Sequence, residues 1–140
     1  VWDNGDAVRG KLVFEKRSCV RCHSGTGPLG PDLAGSAARF SRDDLFTAIL
    51  EPSKDVAPPY QTTQVVTGSG RISHGLVVYE SPDGTLLQTA PDTTVRVAGE
   101  EIVAMRKSKI SLMPSNLLNG STNEELADLY AFLRTLRLAK

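Results

Sequence analysis

The two cysteines of the chain stand three positions apart, in Cys19-Val20-Arg21-Cys22, and His23 follows at once. Two thiols and an imidazole this close suit a structural zinc site, a redox dithiol, a short disulfide or a covalent anchor for haem. Structural zinc takes four Cys or His ligands. The sequence owns only Cys19, Cys22, His23 and His74 of those types, and adjacent Cys22 and His23 close poorly on one tetrahedron. A redox dithiol belongs at the start of a helix that follows a strand, whereas this pair follows a helical segment and precedes a Gly- and Pro-rich loop. A disulfide alone leaves His23 without a role. The Cys-x-x-Cys-His run fits haem attachment. Thiols at this spacing form thioethers with the two vinyl groups on one edge of a porphyrin, and the next side chain swings under the ring. One haem c, attached covalently through Cys19 and Cys22 with His23 as proximal iron ligand, is the expected cofactor. The tether makes the return of a displaced ligand effectively intramolecular.

The second axial ligand decides what such an iron does, since a filled position leaves only electron transfer and an open one admits small molecules. Met113, Met105 and His74 are the candidates. Met113 lies in the Pro-bounded run Ser111-Leu112-Met113-Pro114, ahead of the last helical segment, where a loop can bring a thioether back across the ring. Met105 stands in an apolar-polar stretch in which Met commonly fills a core, and His74 reads as a structural strand residue. Met113 is the expected distal ligand. A thioether and an apolar pocket both favour the reduced iron. Leu29, Leu33, Leu112, Leu117, Leu118 and Leu133 are the expected lining, with Tyr60 and Arg106 as candidate partners of the propionates. Lys16, Arg17 and Arg21 near the thioether edge read either as a solvated helix end or as a steering patch for an acidic partner. Two rivals stand beside an electron carrier. A peroxidase-like haem enzyme or gas sensor with an open distal site would bind carbon monoxide when reduced, and a non-haem metal-binding module would be colourless.

These residues must be placed by the elements around them. Asn4 to about Arg17 reads as a helix capped by Asn4 or Asp6, with Ala7, Gly10, Lys11 and Phe14 on one face. Ser24 to Gly35 is a loop. Ser41 with Asp44 opens a short helix that Pro52 ends. Four strands are expected at Tyr60–Thr67, Arg71–Glu80, Thr85–Thr89 and Thr93–Val97, joined by turns at Gly68-Ser69-Gly70, Pro82-Asp83-Gly84 and Pro91-Asp92. Glu100–Lys109 is ambiguous. Ser121 with Glu124 reads as a capping box for a last helix through Arg137, in which Leu126, Leu129, Tyr130, Leu133 and Leu136 form the apolar stripe. Its acids stand at the start and Arg134, Arg137 and Lys140 at the end, matching the helix dipole.

At 140 residues the chain is long enough for one domain with a real core. Sixteen basic side chains balance 16 acidic ones, which removes the clustered positive excess that nucleic acid requires. No run approaches the roughly 20 apolar residues of a membrane span. The start at Val1, without an initiator Met or signal peptide, suggests a processed protein or a domain of a longer one. Aromatic residues are only 6% of the chain and the single Trp stands at position 2, where chain ends commonly fray.

The chain resembles the class I c-type cytochromes beyond the haem motif itself. Gly10 and Phe14 with Leu129 and Phe132 resemble that family's crossing of first and last helices. Gly30-Pro31-Asp32-Leu33 resembles its Gly-Pro-x-Leu, which implies that the Pro31 carbonyl accepts the Nδ1 proton of His23 and that Leu33 packs on the ring. Met113-Pro114 resembles the distal ligand segment. The implied fold is mostly α, a cytochrome c fold over the covalent haem, in a single domain spanning 1–140 with an antiparallel β-hairpin insertion at about 60–98. That insertion, with Gly84-Thr85-Leu86-Leu87, looks like the haem-binding domain of planctomycete and verrucomicrobial type. The resemblance implies a bacterial periplasmic or cell-surface electron carrier rather than an enzyme. Redox partner proteins are implied, with a dehydrogenase domain of the same polypeptide as one candidate.

Overall fold

The structure is a computed structural model that describes residues 2–23 and 29–136. The expectations at Ser24–Pro28 and at Arg137 and Lys140 lie outside the described residues. The chain forms two compact units, one from the residues up to Glu51 together with those from Ser115 onward, the other from Pro52–Pro114.

The first unit is helical. Helix α1 (Ala7–Lys16) is capped by Asp6, whose side chain accepts the Arg9 amide. Short α2 (Ser36–Arg39) leads into α3 (Arg42–Leu50), capped by Ser41 through the Asp44 amide. Helix α4 (Asn123–Thr135) opens on a capping box made by Thr122 and Glu125, one residue beyond the expected Ser121 and Glu124. Both pairs satisfy the S/T-x-x-E pattern; the box uses the one whose backbone is extended immediately before the first helical turn.

Helices α1 and α4 cross with their backbones in contact. A β-carbon on Gly10 would fall 1.9 Å from the Asp128 carbonyl oxygen, so only hydrogen fits there. Val13, Phe14, Cys19, Phe46, Leu118, Leu129 and Leu133 are buried together around this crossing. Trp2 is not frayed. Its ring lies 5.1 Å from that of Phe46 and 5.9 Å from that of Tyr130, and the Arg42 guanidinium sits over it at 4.7 Å. Asp128, 5% exposed, accepts from the Asp6 amide at 2.8 Å and from Arg9 Nε at 3.0 Å. These bonds tie the start of α1 to α4.

The second unit is an antiparallel sheet of five strands: β1 (Thr62–Thr67), β2 (Ile72–Ser81), β3 (Gly84–Ala90), β4 (Thr93–Ala98) and β5 (Ile102–Ser108), in the order β4-β3-β2-β1-β5. Four lie close to the expected strands, although Tyr60 belongs to a 3-10 turn, Pro58–Tyr60, instead. The stretch after Ala98 is a 3-10 turn, Gly99–Glu101, followed by β5. Flat, a sheet of five strands would hold its edges about 19 Å apart, whereas the four steps from Ala98 to Ile102 span at most about 14 Å. The sheet therefore curls, helped by irregularities in register at Val66/Thr67, Val77/Tyr79 and Gln88/Ala90. Val65, Leu87 and Val97 are enclosed by it, packed with Val77, Val95 and Ile102.

This corrects the expectation of a mostly α cytochrome c fold with inserted hairpins. Helix accounts for 37% and strand for 28% of the structure, and the sheet has its own core. The reason lies in β5, where Val103 through Lys107 are all exposed. Without a buried face it lacks the alternation that marks a strand in sequence, and without it the other four strands read as open hairpins.

Candidate functional site

Helix α1 stops because Ser18 takes a left-handed backbone, φ 67°. The chain then turns sharply through the 3-10 segment Cys19–Arg21, and the His23 amide donates back to the Cys19 carbonyl at 3.0 Å. This brings both thiols and the imidazole onto one turn. Cys19 is buried in the helical core and Cys22 is half-buried; both are free thiols. Burial pushes the Cys19 thiol up from its ordinary pKa, and the neighbouring Cys22 adds to this. Burial pushes Cys22 up as well, against the opposing pull of Arg21. Both groups are therefore protonated at neutral pH. A nucleophilic redox dithiol needs the reverse, a lowered pKa of the kind found at helix N-termini, and this pair follows the negative end of α1.

The Nδ1 atom of His23 lies 2.8 Å from the Pro31 carbonyl oxygen. A carbonyl only accepts, so Nδ1 carries the proton and Nε2 keeps its lone pair. Gly30 holds this arrangement closed. A β-carbon there would lie 2.8 Å from the Cys22 carbonyl oxygen and 3.1 Å from both Cε1 and Nδ1 of the imidazole. That role of Gly30 is absent from the sequence reading, although the residue belongs to the Gly-Pro-x-Leu run. Asp32 accepts the Ala34 amide at 2.9 Å, shaping the turn in which Leu33 packs against the helical core. Leu29, Leu118 and Leu133 are buried, and Leu117 is half-buried.

The remaining expected residues are distributed more widely. Arg17 donates to the Asn119 carbonyl at 2.8 Å and faces Glu125 at 4.0 Å, and its side chain is only 18% exposed. It is a structural link to the start of α4 and not part of a free basic patch; Lys16 also faces Glu125, at 3.8 Å, while Arg21 is exposed. Leu112 and Met113 are half-buried in the sheet unit, where the Met113 amide donates to Ser111 Oγ at 3.1 Å. Met105 belongs to β5 opposite Val65, with the Thr85 hydroxyl 3.9 Å from its sulfur. His74 is held by Thr62, at 2.7 Å from Nε2 to Oγ1. Arg106 is exposed on β5 and Tyr60 is half-buried in its turn.

The donor set fits covalent haem: two protonated thiols on one turn, and an imidazole whose free nitrogen is Nε2. Among the described residues no group of three or more His, Cys, Asp or Glu is placed to hold a metal ion by itself. Nor, among them, is any helix long and apolar enough to cross a membrane. No curated protein matches the chain. Residues 5–67, under half of the chain but including both cysteines, His23 and Pro31, match the family described as cytochrome C oxidase, cbb3-type, subunit III. The match supports a c-type cytochrome, a class that carries covalent haem c and exchanges electrons with redox partners.

Proposed function

We propose that this chain is a monohaem electron-transfer domain, with haem c bound through thioethers to Cys19 and Cys22, His23 as one axial ligand and Met113 as the other. The observation that carries the reading is the bond from His23 Nδ1 to the Pro31 carbonyl, beside two free thiols. When bound, the haem supplies a one-electron iron couple. The chain's own part is to hold and insulate. Pro31 fixes the tautomer of His23 and raises its basicity as a ligand. Gly30 keeps the imidazole edge clear of side-chain bulk. Leu33 packs on the apolar core that includes Cys19, and apolar surroundings favour the less charged, reduced state. Met113 is favoured over the other candidates because Met105 and His74 already have partners on the sheet. The planctomycete and verrucomicrobial subtype belongs to the same proposal, as does a periplasmic or cell-surface setting, since attachment of this kind is normally made outside the cytoplasm.

Absorption spectra of protein made with a cytochrome maturation system test this reading. Strong Soret absorbance that stays with the protein in acid acetone is expected, and its loss in the Cys19→Ser, Cys22→Ser double variant. Met113→Ala should open the iron to carbon monoxide in the ferrous state. Colourless protein overturns haem binding; ready carbon monoxide binding by the parent protein favours the open-site enzyme or sensor.

A further inference from the structure

One chain of hydrogen bonds in the sheet unit runs from His74 to the backbone that bears Met113. Thr62 is fully buried, and its hydroxyl donates to the Ile110 carbonyl at 2.6 Å. A hydroxyl has one proton to give, so the 2.7 Å contact with His74 must be an N–H from Nε2 to the Thr62 oxygen. The register allows this: Thr62 pairs with Ser108, the last residue of β5, and His74 on β2 lies diagonally across β1 from Thr62, opposite Gln64. The Thr62 side chain thus reaches past the end of the ladder to the first residues beyond β5. There the chain is secured three more times. Ser108 Oγ accepts the Ile110 amide at 3.1 Å, Ser53 Oγ accepts the Ser111 amide at 2.9 Å, and Ser111 Oγ accepts the Met113 amide at 3.1 Å. Of these anchors only the one at Ile110 comes from the sheet interior and is backed by a second side chain.

We infer that His74 and Thr62 are positioning residues for Met113: they pin the Ile110 carbonyl so that the segment Ile110–Met113 leaves the sheet along one path. This rests on Met113 as axial ligand. His74 is then neither a ligand nor a bystander, and acts on the iron only through backbone. Loss of the His74 side chain removes one hydrogen bond and loss of the Thr62 hydroxyl removes two; one ordinary bond changes the equilibrium between bound and released thioether by about three- to tenfold.

The test uses the haem-loaded protein and measures the affinity of added imidazole, which must displace Met113. It is read together with the thioether-to-iron charge-transfer band of the ferric state and with amide exchange at Ser111 and Met113. His74→Phe should bind imidazole about three- to tenfold more tightly and Thr62→Val, which loses both bonds, at least as much more, and both should weaken the band and speed exchange at both amides. Thr62→Ser and His74→Gln, which keep a hydroxyl and an N–H donor, should behave as the parent. Equal changes in Thr62→Val and Thr62→Ser would mean that packing and not the bond matters, and would overturn the inference, as would parent-like imidazole affinity in Thr62→Val and His74→Phe. Met113→Ala separates the two layers. A lost band in that variant with silent Thr62 and His74 variants sinks the positioning role alone, whereas an unchanged band sinks the ligand assignment and the positioning role with it.

Discussion

A β-carbon on Gly30 would press on the Cys22 carbonyl and on the His23 ring together, and those are the atoms that aim Nε2. Gly30→Ala is therefore expected to turn the imidazole before it disturbs anything else. Overpacking of this kind costs about 1–3 kcal/mol, which exceeds the 0.5–1.5 kcal/mol that an ordinary bond such as His23 to Pro31 contributes net. The bond gives way first. We expect Gly30→Ala to shift the absorption bands of the bound haem and lower the midpoint of chemical unfolding; parent-like spectra with an unchanged midpoint would show that the neighbours relax freely. At this scale the Cys-x-x-Cys-His motif was readable from sequence because it is a matter of spacing alone. The Pro31 partner came from resemblance, and the steric role of Gly30 emerged only once the loop had folded back on the histidine.

At the scale of elements, the crossing of α1 and α4 depends on one buried carboxylate. The Arg9 side chain, and after it the Asp6 amide, hold Asp128 below the usual carboxylate range. A depressed folded-state pKa contributes stability above the unfolded value of about 3.9 and loses it as pH falls through the folded value. The helical unit should accordingly hold its stability from neutral pH down to about pH 4 and lose it below. Asp128→Asn should be less stable at pH 7 and show a shallower decline in acid, read from urea midpoints followed by helix circular dichroism. An acid limb identical in parent and variant would remove Asp128 from this role. Helix starts were legible because capping is local; the displacement of the last cap from Ser121 to Thr122 shows the limit where two adjacent residues satisfy one pattern. Partners of Asp128 lie about 120 positions away along the chain, beyond the reach of any periodicity.

For the whole molecule, the balance of 16 basic and 16 acidic side chains leaves little long-range field to steer a partner, and Arg17 is committed to α4 and so does not serve as a docking charge. The sheet unit carries its own core, and Leu87, fully buried in β3, sits at its centre with Val65 and Val97. Leu87→Ala should lower unfolding stability by about 2–5 kcal/mol, seen in strand circular dichroism against urea, while Leu86→Ala, on the opposite and partly exposed face, should cost much less. Equal costs would mean that the sheet does not enclose a core.

The sequence alone determined the spacing of Cys19, Cys22 and His23, the start of α3, those of α1 and α4 to within a few residues, and four of the five strands, since each depends on residues a few positions apart. Tertiary structure decided what closes the sheet, what anchors Trp2 and Asp128, and what secures the backbone before Met113. The physical reason is shared: β5 has no buried face to announce itself, and the ring partners of Trp2, the donors to Asp128 and the Thr62 hydroxyl that holds the Ile110 carbonyl lie 40 or more positions distant along the chain. Such contacts are stable only after the ends of long loops have been brought together, which no local pattern records.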